Sequence, residues 1–407
     1  MLFRTLPLVA LAGLALCAEA QAPSQADLFD RMAAHVEAHE ADLVALRHDI
    51  HRHPEVSGEE ERTAGLVAAR LTALGFDVHT GVGGHGVVGV LEGGRPGPLV
   101  AFRADLDAVR SGAPDPVAYR SEIPGVRHIC GHDVHTTIGV ALAEAFAAVR
   151  EDLAGSVMLV FQPAEERGTG AKAMLADGAF DGPVPDAIFA VHTAPMPVGQ
   201  VATVAGGMMA GRAGLSVALS GNGDLGDAAA QVRAAVASVG TFAPQNPGQI
   251  APAGFVTVQL FGGGDASVRG QIMTAGPADR DRAKAEVLAA LDALDLPGVV
   301  LDVAYDERLM EGVTNDESLV AVANAGIGAL APDIAVGVVP GAVPYFSEDF
   351  GSFQALTPGV MYFLGVSNPE AGTVGMPHSP DYVADDAAIA VGTRAMLAAM
   401  LQRLAEG

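Results

Sequence analysis

From Val126 the chain reads Val126-Arg127-His128-Ile129-Cys130-Gly131-His132-Asp133-Val134-His135, with a thiol, three imidazoles and a carboxylate within eight positions. Apart from the thiol, these are side chains that proteins rarely bury without partners, and Gly131 lets the backbone turn sharply among them. Cys130 and His132 stand two apart, so an extended segment sends both to one face, where a thiolate and a neutral imidazole can grip one divalent ion. Singly, each is as well explained by a polar loop with a buried thiol. Together they point to a metal.

Glu165, Glu166, His192 and His378 add donors from three further places. Cys130, His132, Glu166, His192 and His378 would then form a two-metal site. Two ions about 3.5–4 Å apart share a water and hold both oxygens of a hydrolytic transition state. Adjacent carboxylates repel unless a cation neutralises one, so Glu166 is given to the metal and Glu165 to the water as general base, with the reverse equally open. Asp107 is read as an acceptor that orients a ligand histidine. The bland reading of these carboxylates is a helix N-terminal charge or a solvated turn. His378 is stiffened by flanking prolines, which suits a ligand and any surface loop equally.

The elements that must carry these residues follow from apolar periodicity. Residues 25–53 suit one or two amphipathic helices, on which His35 and His39 read as a solvated pair. Ser57-Gly58-Glu59-Glu60 has the form of a capping box opening a helix to about Leu74. Gly81-Val82-Gly83-Gly84-His85-Gly86 matches a dinucleotide fingerprint, but β-branched residues follow it, so it is read as a glycine-rich hairpin. Strands over 99–102, 156–161 and 187–191 alternate with helices over 136–149 and 170–176, which implies a largely parallel sheet covered by helices. Asp105, Asp107, Glu165, Glu166 and His192 fall at the ends of these strands, where such folds place their sites. Residues 212–306 switch to a βαββαβ order, that of a small ferredoxin-like unit, and alternation then resumes to a last helix from Asp385. The one long loop is placed over 242–254.

Half of the 407 residues are apolar, enough for a large core, and the formal charge of −25 argues against nucleic acid and anionic membrane surfaces. A basic start, an apolar run over 6–16 and Ala18-Glu19-Ala20 read as a signal peptide over 1–20, too short for a permanent membrane anchor. Its removal takes Cys17 and leaves Cys130 alone in an oxidising compartment, with a metal as one occupant of the thiol. The protein is thus expected to be secreted and periplasmic, with no stable membrane insertion.

Arg103-Ala104-Asp105-Leu106-Asp107-Ala108, His128-Ile129-Cys130-Gly131-His132-Asp133-Val134-His135, Phe161-Gln162-Pro163-Ala164-Glu165-Glu166, Val191-His192-Thr193-Ala194-Pro195, Ser347-Glu348-Asp349-Phe350 and His378-Ser379-Pro380 resemble, in order, the signatures of the M20 metallopeptidase superfamily. The branch is that of hippurate hydrolases, auxin-conjugate hydrolases and N-acetyl-diaminopimelate deacetylases. The resemblance implies an α/β, zinc-peptidase-like catalytic domain over 21–211 and 307–407, interrupted by a ferredoxin-like α+β lid over 212–306 that often serves dimerisation. It also implies a binuclear centre of Zn or Mn, with Co or Ni as alternatives, on Cys130, His132, Glu166, His192 and His378. Glu165 takes the place of the general base and Asp107 that of the strand-end aspartate. One feature departs from the family: the lid segment Ser220-Gly221-Asn222-Gly223-Asp224-Leu225-Gly226-Asp227 lacks the histidine that helps hold the oxyanion, a loss of about 10²–10³ in turnover unless Asn222 or another donor substitutes.

The resulting expectation is a metal-dependent amidohydrolase acting on a small N-acyl amino acid or related amide. A metal-containing binding protein for amino-acid-like ligands and a dipeptidase of the same superfamily are the alternatives. Arg167 and Arg212 are candidates for a substrate carboxylate, against the commoner reading of solvated surface arginines.

Overall fold

The computed structural model describes residues 23–246 and 248–406, so the expected signal peptide over 1–20, with Cys17, lies outside the described residues. An eight-stranded sheet runs in the order Asp77–Val82, Gly86–Glu92, Ala154–Gln162, Arg95–Asp105, Ala187–Pro197, Gly359–Ser367, Gln200–Thr203, Ala335–Val338. Its middle four strands are mutually parallel, while the glycine-rich hairpin pairs antiparallel at one side and Gln200–Thr203 runs antiparallel to Gly359–Ser367. The sheet is therefore mixed, with its parallel part at the centre.

Both faces are covered. On Arg95–Asp105, Val100, Phe102 and Ala104 enter one core while Leu99 and Ala101 enter the other. Such two-sided burial makes a central strand read as an uninterrupted apolar run. The helices Gln25–Ala38, His132–Ala148, Glu317–Leu330 and Ala387–Ala405 cover the first face, and the short helices Gly170–Ala176 and Gly351–Gln354 the second. Among the described residues no helix is long and apolar enough to cross a membrane.

The strands Val256–Leu260, Ser267–Thr274, Gly211–Gly221 and Val299–Met310 form a separate antiparallel sheet in that order, with the helices Leu225–Ala237 and Pro277–Asp292 sharing its core. Their chain order is strand, helix, strand, strand, helix, strand.

Three local expectations are corrected. The helix expected after Ser57 begins at Glu61 without a side-chain cap. Ser57 instead donates to Asp107 Oδ2 at 2.6 Å, and Glu55 accepts from the amides of Arg62 and Thr63. The strand expected to end before His192 continues to Pro197, but its pairing with Arg95–Asp105 stops at Ala190, so His192 stands where the sheet opens. The described residues of 242–254 are a loop as expected, yet 111–125 and 368–386 contain no helix or extended strand either, and the second of these holds His378.

Candidate metal centre

The helix His132–Ala148 begins four residues earlier than its apolar pattern suggests, because its N-cap is Gly131 in the left-handed region at φ 91° rather than a side-chain cap. A Cβ on Gly131 would collide with the Tyr382 hydroxyl and with Thr193. Cys130 and His132 therefore converge through a left-handed turn into a helix, not by alternation along an extended segment. Cys130 Sγ, a His132 ring nitrogen and a Glu166 oxygen all lie within 4.8 Å of one another. His192 Nε2 is 3.5 Å from Cys130 Sγ, and His378 Nε2 is 3.2 Å from Glu166 Oε1. All five candidate ligands thus meet in one place.

Hydrogen bonds fix which nitrogen of each ring faces the centre. His132 Nδ1 lies 2.8 Å from the Asp107 carbonyl and 3.1 Å from its carboxylate, so Nδ1 carries the donated proton and Nε2 points inward. His192 Nδ1 donates to the Thr193 carbonyl at 2.8 Å, which likewise turns Nε2 towards Cys130. His135 accepts from the Thr193 amide at Nε2, so its Nδ1 donates to Asp105 Oδ1 at 2.7 Å. Acceptors behind ligand imidazoles set tautomer and ring orientation in metal sites. Asp107 does this here for His132.

Glu165 and Glu166 sit on a tight turn. Ala164 is left-handed at φ 52°, its amide bound by Glu60 Oε1 at 2.8 Å, and the Glu166 amide donates to Asp107 Oδ2 at 3.0 Å. His378 is left-handed too, at φ 62°, and its amide donates to the Ile129 carbonyl at 2.8 Å. Strained non-glycine backbone of this kind is held in place by its surroundings and concentrates at functional sites. Glu165 Oε2 stands 3.7 Å from His132 Nε2. Glu166 Oε1 is 3.8 Å from the same nitrogen, and Glu165 with Asp107 and His132 forms a second group of candidate ligands beside the first.

The electrostatics call for positive charge. Burial opposes protonation of His132, yet Asp105, Asp107 and Glu166 outweigh it and push its pKa up to about 10. Burial and then the glutamates raise the Cys130 thiol well above its usual value, and burial with the neighbouring Glu348 and Glu166 does the same to Glu165. His192, pulled down to about 4 by burial and by His135, is neutral with Nε2 available. Nearby, Arg103 answers three carboxylates, at 2.6 Å to Asp105, 2.7 Å to Glu348 and 3.3 Å to Asp349. Among the described residues, the buried His132 Nε2 and Glu166 Oε1 have no hydrogen-bond partner. Inward-facing orphan donors amid surplus carboxylates fit divalent cations, which would take the thiol's proton and offset the negative charge.

The other members of the His-rich stretch are not among the five candidate ligands. His128 is buried and held neutral, its pKa pulled to about 4 first by burial. Asp133 pairs with Arg47 at 3.1 Å and His51 at 2.9 Å. Ser57 and Glu60 read locally as a capping pattern, and His135 and Thr193 fall within quoted motifs, but the roles they take, towards Asp107, the Ala164 amide and Asp105, lie with residues distant in sequence. Of the arginines weighed for a carboxylate, Arg167 packs by Gly58. Arg212 lines a cavity of about 310 Å³ together with Cys130, Glu165, Glu166, His192 and His378. An apolar cavity of about 300 Å³ adjoins it, sharing His192 and Phe346. Asn222 follows the opposite end of the strand that begins at Gly211, its amide bound to the Gly298 carbonyl. At roughly 3.3 Å per residue it lies about 30 Å from Arg212, so within a single chain it does not replace the missing histidine.

The profile of peptidase family M20/M25/M40 matches residues 101–402. The chain is 29% identical over 388 residues to thermostable carboxypeptidase 2 of Saccharolobus solfataricus, covering 91% of this chain and 97% of that one. It is 30% identical over 382 residues to the IAA-amino acid hydrolase ILR1-like 5 of Arabidopsis thaliana, covering 89% and 86%. The crystal structure of the Bacillus subtilis YXEP protein, described as a dinuclear metal binding peptidase, superposes with a TM-score of 0.74 at 24% identity, covering 91% of this chain and 99% of that one.

Proposed function

The chain belongs to peptidase family M20/M25/M40 and is a metal-dependent hydrolase, and on that premise we propose that it cleaves the amide of a small N-acyl amino acid at a pair of divalent cations. Its place of action is outside the cytoplasm, after removal of the N-terminal peptide. One observation carries the reading. The unpartnered His132 Nε2 meets Cys130 and Glu166 within 4.8 Å, with the Glu165 carboxylate alongside at 3.7 Å.

Cys130, His132, Glu166, His192 and His378 would hold the cations, either Zn or Mn. Bound there, they would polarise the amide carbonyl and lower the pKa of the attacking water. Glu165 removes a proton from the attacking water and returns it to the leaving nitrogen. Its place 3.7 Å from His132 Nε2, beside the candidate ligands, suits it to that transfer. Asp107 keeps His132 Nδ1 protonated and its ring in register. Arg103 holds Asp105 and Glu348 against the back of the site, and His135 ties Asp105 to the Thr193 amide beside His192. The apolar cavity past His192 and Phe346 takes the acyl group and sheds water as it fills. The dinuclear character of the Bacillus protein and the amino-acid conjugates named for the Arabidopsis relative support this reading.

The test is a panel of N-acetyl and N-benzoyl amino acids, with dipeptides alongside, offered to the purified protein supplemented with Mn²⁺ or Zn²⁺. Release of free amino acid from the acylated compounds is expected. Cleavage of dipeptides alone would replace the proposal with a peptidase.

A further inference from the structure

We infer that Arg127 is a positioning residue for the candidate ligand His378, holding its loop against the metal centre from behind, an inference that rests on the binuclear reading above. His378 differs from the other two imidazoles of the candidate set. His132 and His192 are buried, and each has an acceptor behind its Nδ1 that fixes the ring. The His378 side chain is 45% exposed, and its one partner among the described residues is Glu166 Oε1. It also stands in 368–386, which has neither helix nor extended strand to support it. Whatever aims this ring at Glu166 must therefore act through the backbone.

That backbone is held by the short stretch before Cys130. The His378 amide donates to the Ile129 carbonyl at 2.8 Å, which pins a residue in the left-handed region at φ 62°. Two residues further on, Arg127 Nη1 donates to the Pro380 carbonyl at 3.2 Å, and its Nη2 reaches the Tyr382 carbonyl at 3.5 Å. Nη2 also donates to Asp115 Oδ1 at 3.2 Å. Asp115 is fixed in turn by His51 Nε2 at 3.1 Å and the Ser121 amide at 2.8 Å. The Arg127 side chain is buried, so without it the two carbonyls would lose a partner that water does not readily replace.

Arginine suits this task. A planar fork of donors serves a carboxylate and two carbonyls at once, whereas an ammonium is a point charge on a flexible stem. A buried charge needs a counter-ion, and Asp115 supplies it while leaving Nη1 to the loop. One side chain thus sets His378 in register with Cys130, which follows Arg127 by three residues in the chain.

The experiment compares the wild type with Arg127→Lys and Arg127→Met, each alone and combined with His378→Ala. Denaturant unfolding checks that the variants fold, and Arg127→Lys, which keeps a charge beside Asp115, serves where Arg127→Met does not. Hydrogen exchange is followed on the metal-free proteins, and cation binding by calorimetry with Mn²⁺ and Zn²⁺. Exchange at the His378 amide should quicken about 10-fold or more in Arg127→Lys, with the helix His132–Ala148 unchanged. Affinity for one of the two cations should fall about 10- to 100-fold while the other is retained. In the His378→Ala background the same substitution should cost less than about 2-fold, because the ligand it positions is already gone. Equal losses with and without His378, or exchange that quickens throughout the molecule, would overturn the assignment in favour of general packing. Unchanged exchange and affinity would overturn it as well. If the wild type binds no cation while the loop still loosens in Arg127→Lys, the binuclear reading fails and Arg127 stands as the residue that holds the loop.

Discussion

Asp107 holds His132 twice, through its carbonyl at 2.8 Å and its carboxylate at 3.1 Å, and the same carboxylate accepts from Ser57 and from the Glu166 amide. One buried side chain thus registers a candidate ligand from the His-rich turn against another from the glutamate turn. Replacing it with alanine should leave both free to rotate and should weaken metal binding 10–100-fold. Competition with a chromogenic chelator measures this, and unchanged affinity would mean that the arrangement around Asp107 serves packing alone.

Glu165 lies beside the cluster but outside the five candidate ligands. Glu165→Gln should retain the metal content of the wild type and lose about 10²–10⁴ in turnover. Metal analysis of the variant together with its kcat checks both halves. A loss of metal in parallel with activity would make Glu165 a ligand and exchange its role with that of Glu166.

Gly131 has no room for a side chain and stands at a positive φ. Gly131→Ala should cost more than about 1 kcal/mol in denaturant unfolding and displace Cys130 from His132. A variant as stable as the wild type, with unchanged metal affinity, would show that the turn tolerates another backbone.

His51 lies between Asp115, at 3.1 Å, and Asp133, at 2.9 Å. Burial opposes its charge, but the two carboxylates prevail and raise its pKa from 6.5 to about 8. A pKa raised on folding contributes stability that is full below the unfolded value and lost as pH rises through the folded one. The contribution, about 2 kcal/mol for a shift of that size, should therefore be present below pH 6.5 and gone above about pH 8. Unfolding curves of the wild type and His51→Asn across that range should converge as pH rises. Parallel curves would contradict the assignment.

Much of this was legible in the sequence, for a definite reason. Cys130, His132, Glu166, His192 and His378 are residue types that do not gather in a protein without partners, so their presence at strand ends and in adjoining loops carried information by itself. Apolar periodicity likewise gave the alternating strands and helices, since a strand buried on both faces leaves an unbroken apolar run such as 99–102. The failures have a common cause in long-range contacts. Ser57 matched a local capping pattern, but the distant Asp107 is the stronger acceptor. The start of the helix at His132 was hidden because Gly131 caps it through backbone conformation instead of a side chain. His192 read as the end of a strand because the loss of a neighbouring strand at Ala190 leaves no mark in its own sequence. Arg212 became distinct from Arg167 only when the cavity lining was seen.

The account depends on five side chains from separate parts of the chain sharing cations next to a free glutamate. Diffraction from metal-loaded crystals, collected on both sides of the metal absorption edge, tests this most directly. Two anomalous peaks are expected, contacting Cys130, His132, Glu166, His192 and His378 between them, with Glu165 unligated beside them. A single peak elsewhere in the molecule, or a Cys130 sulfur with no metal on it, would contradict the account.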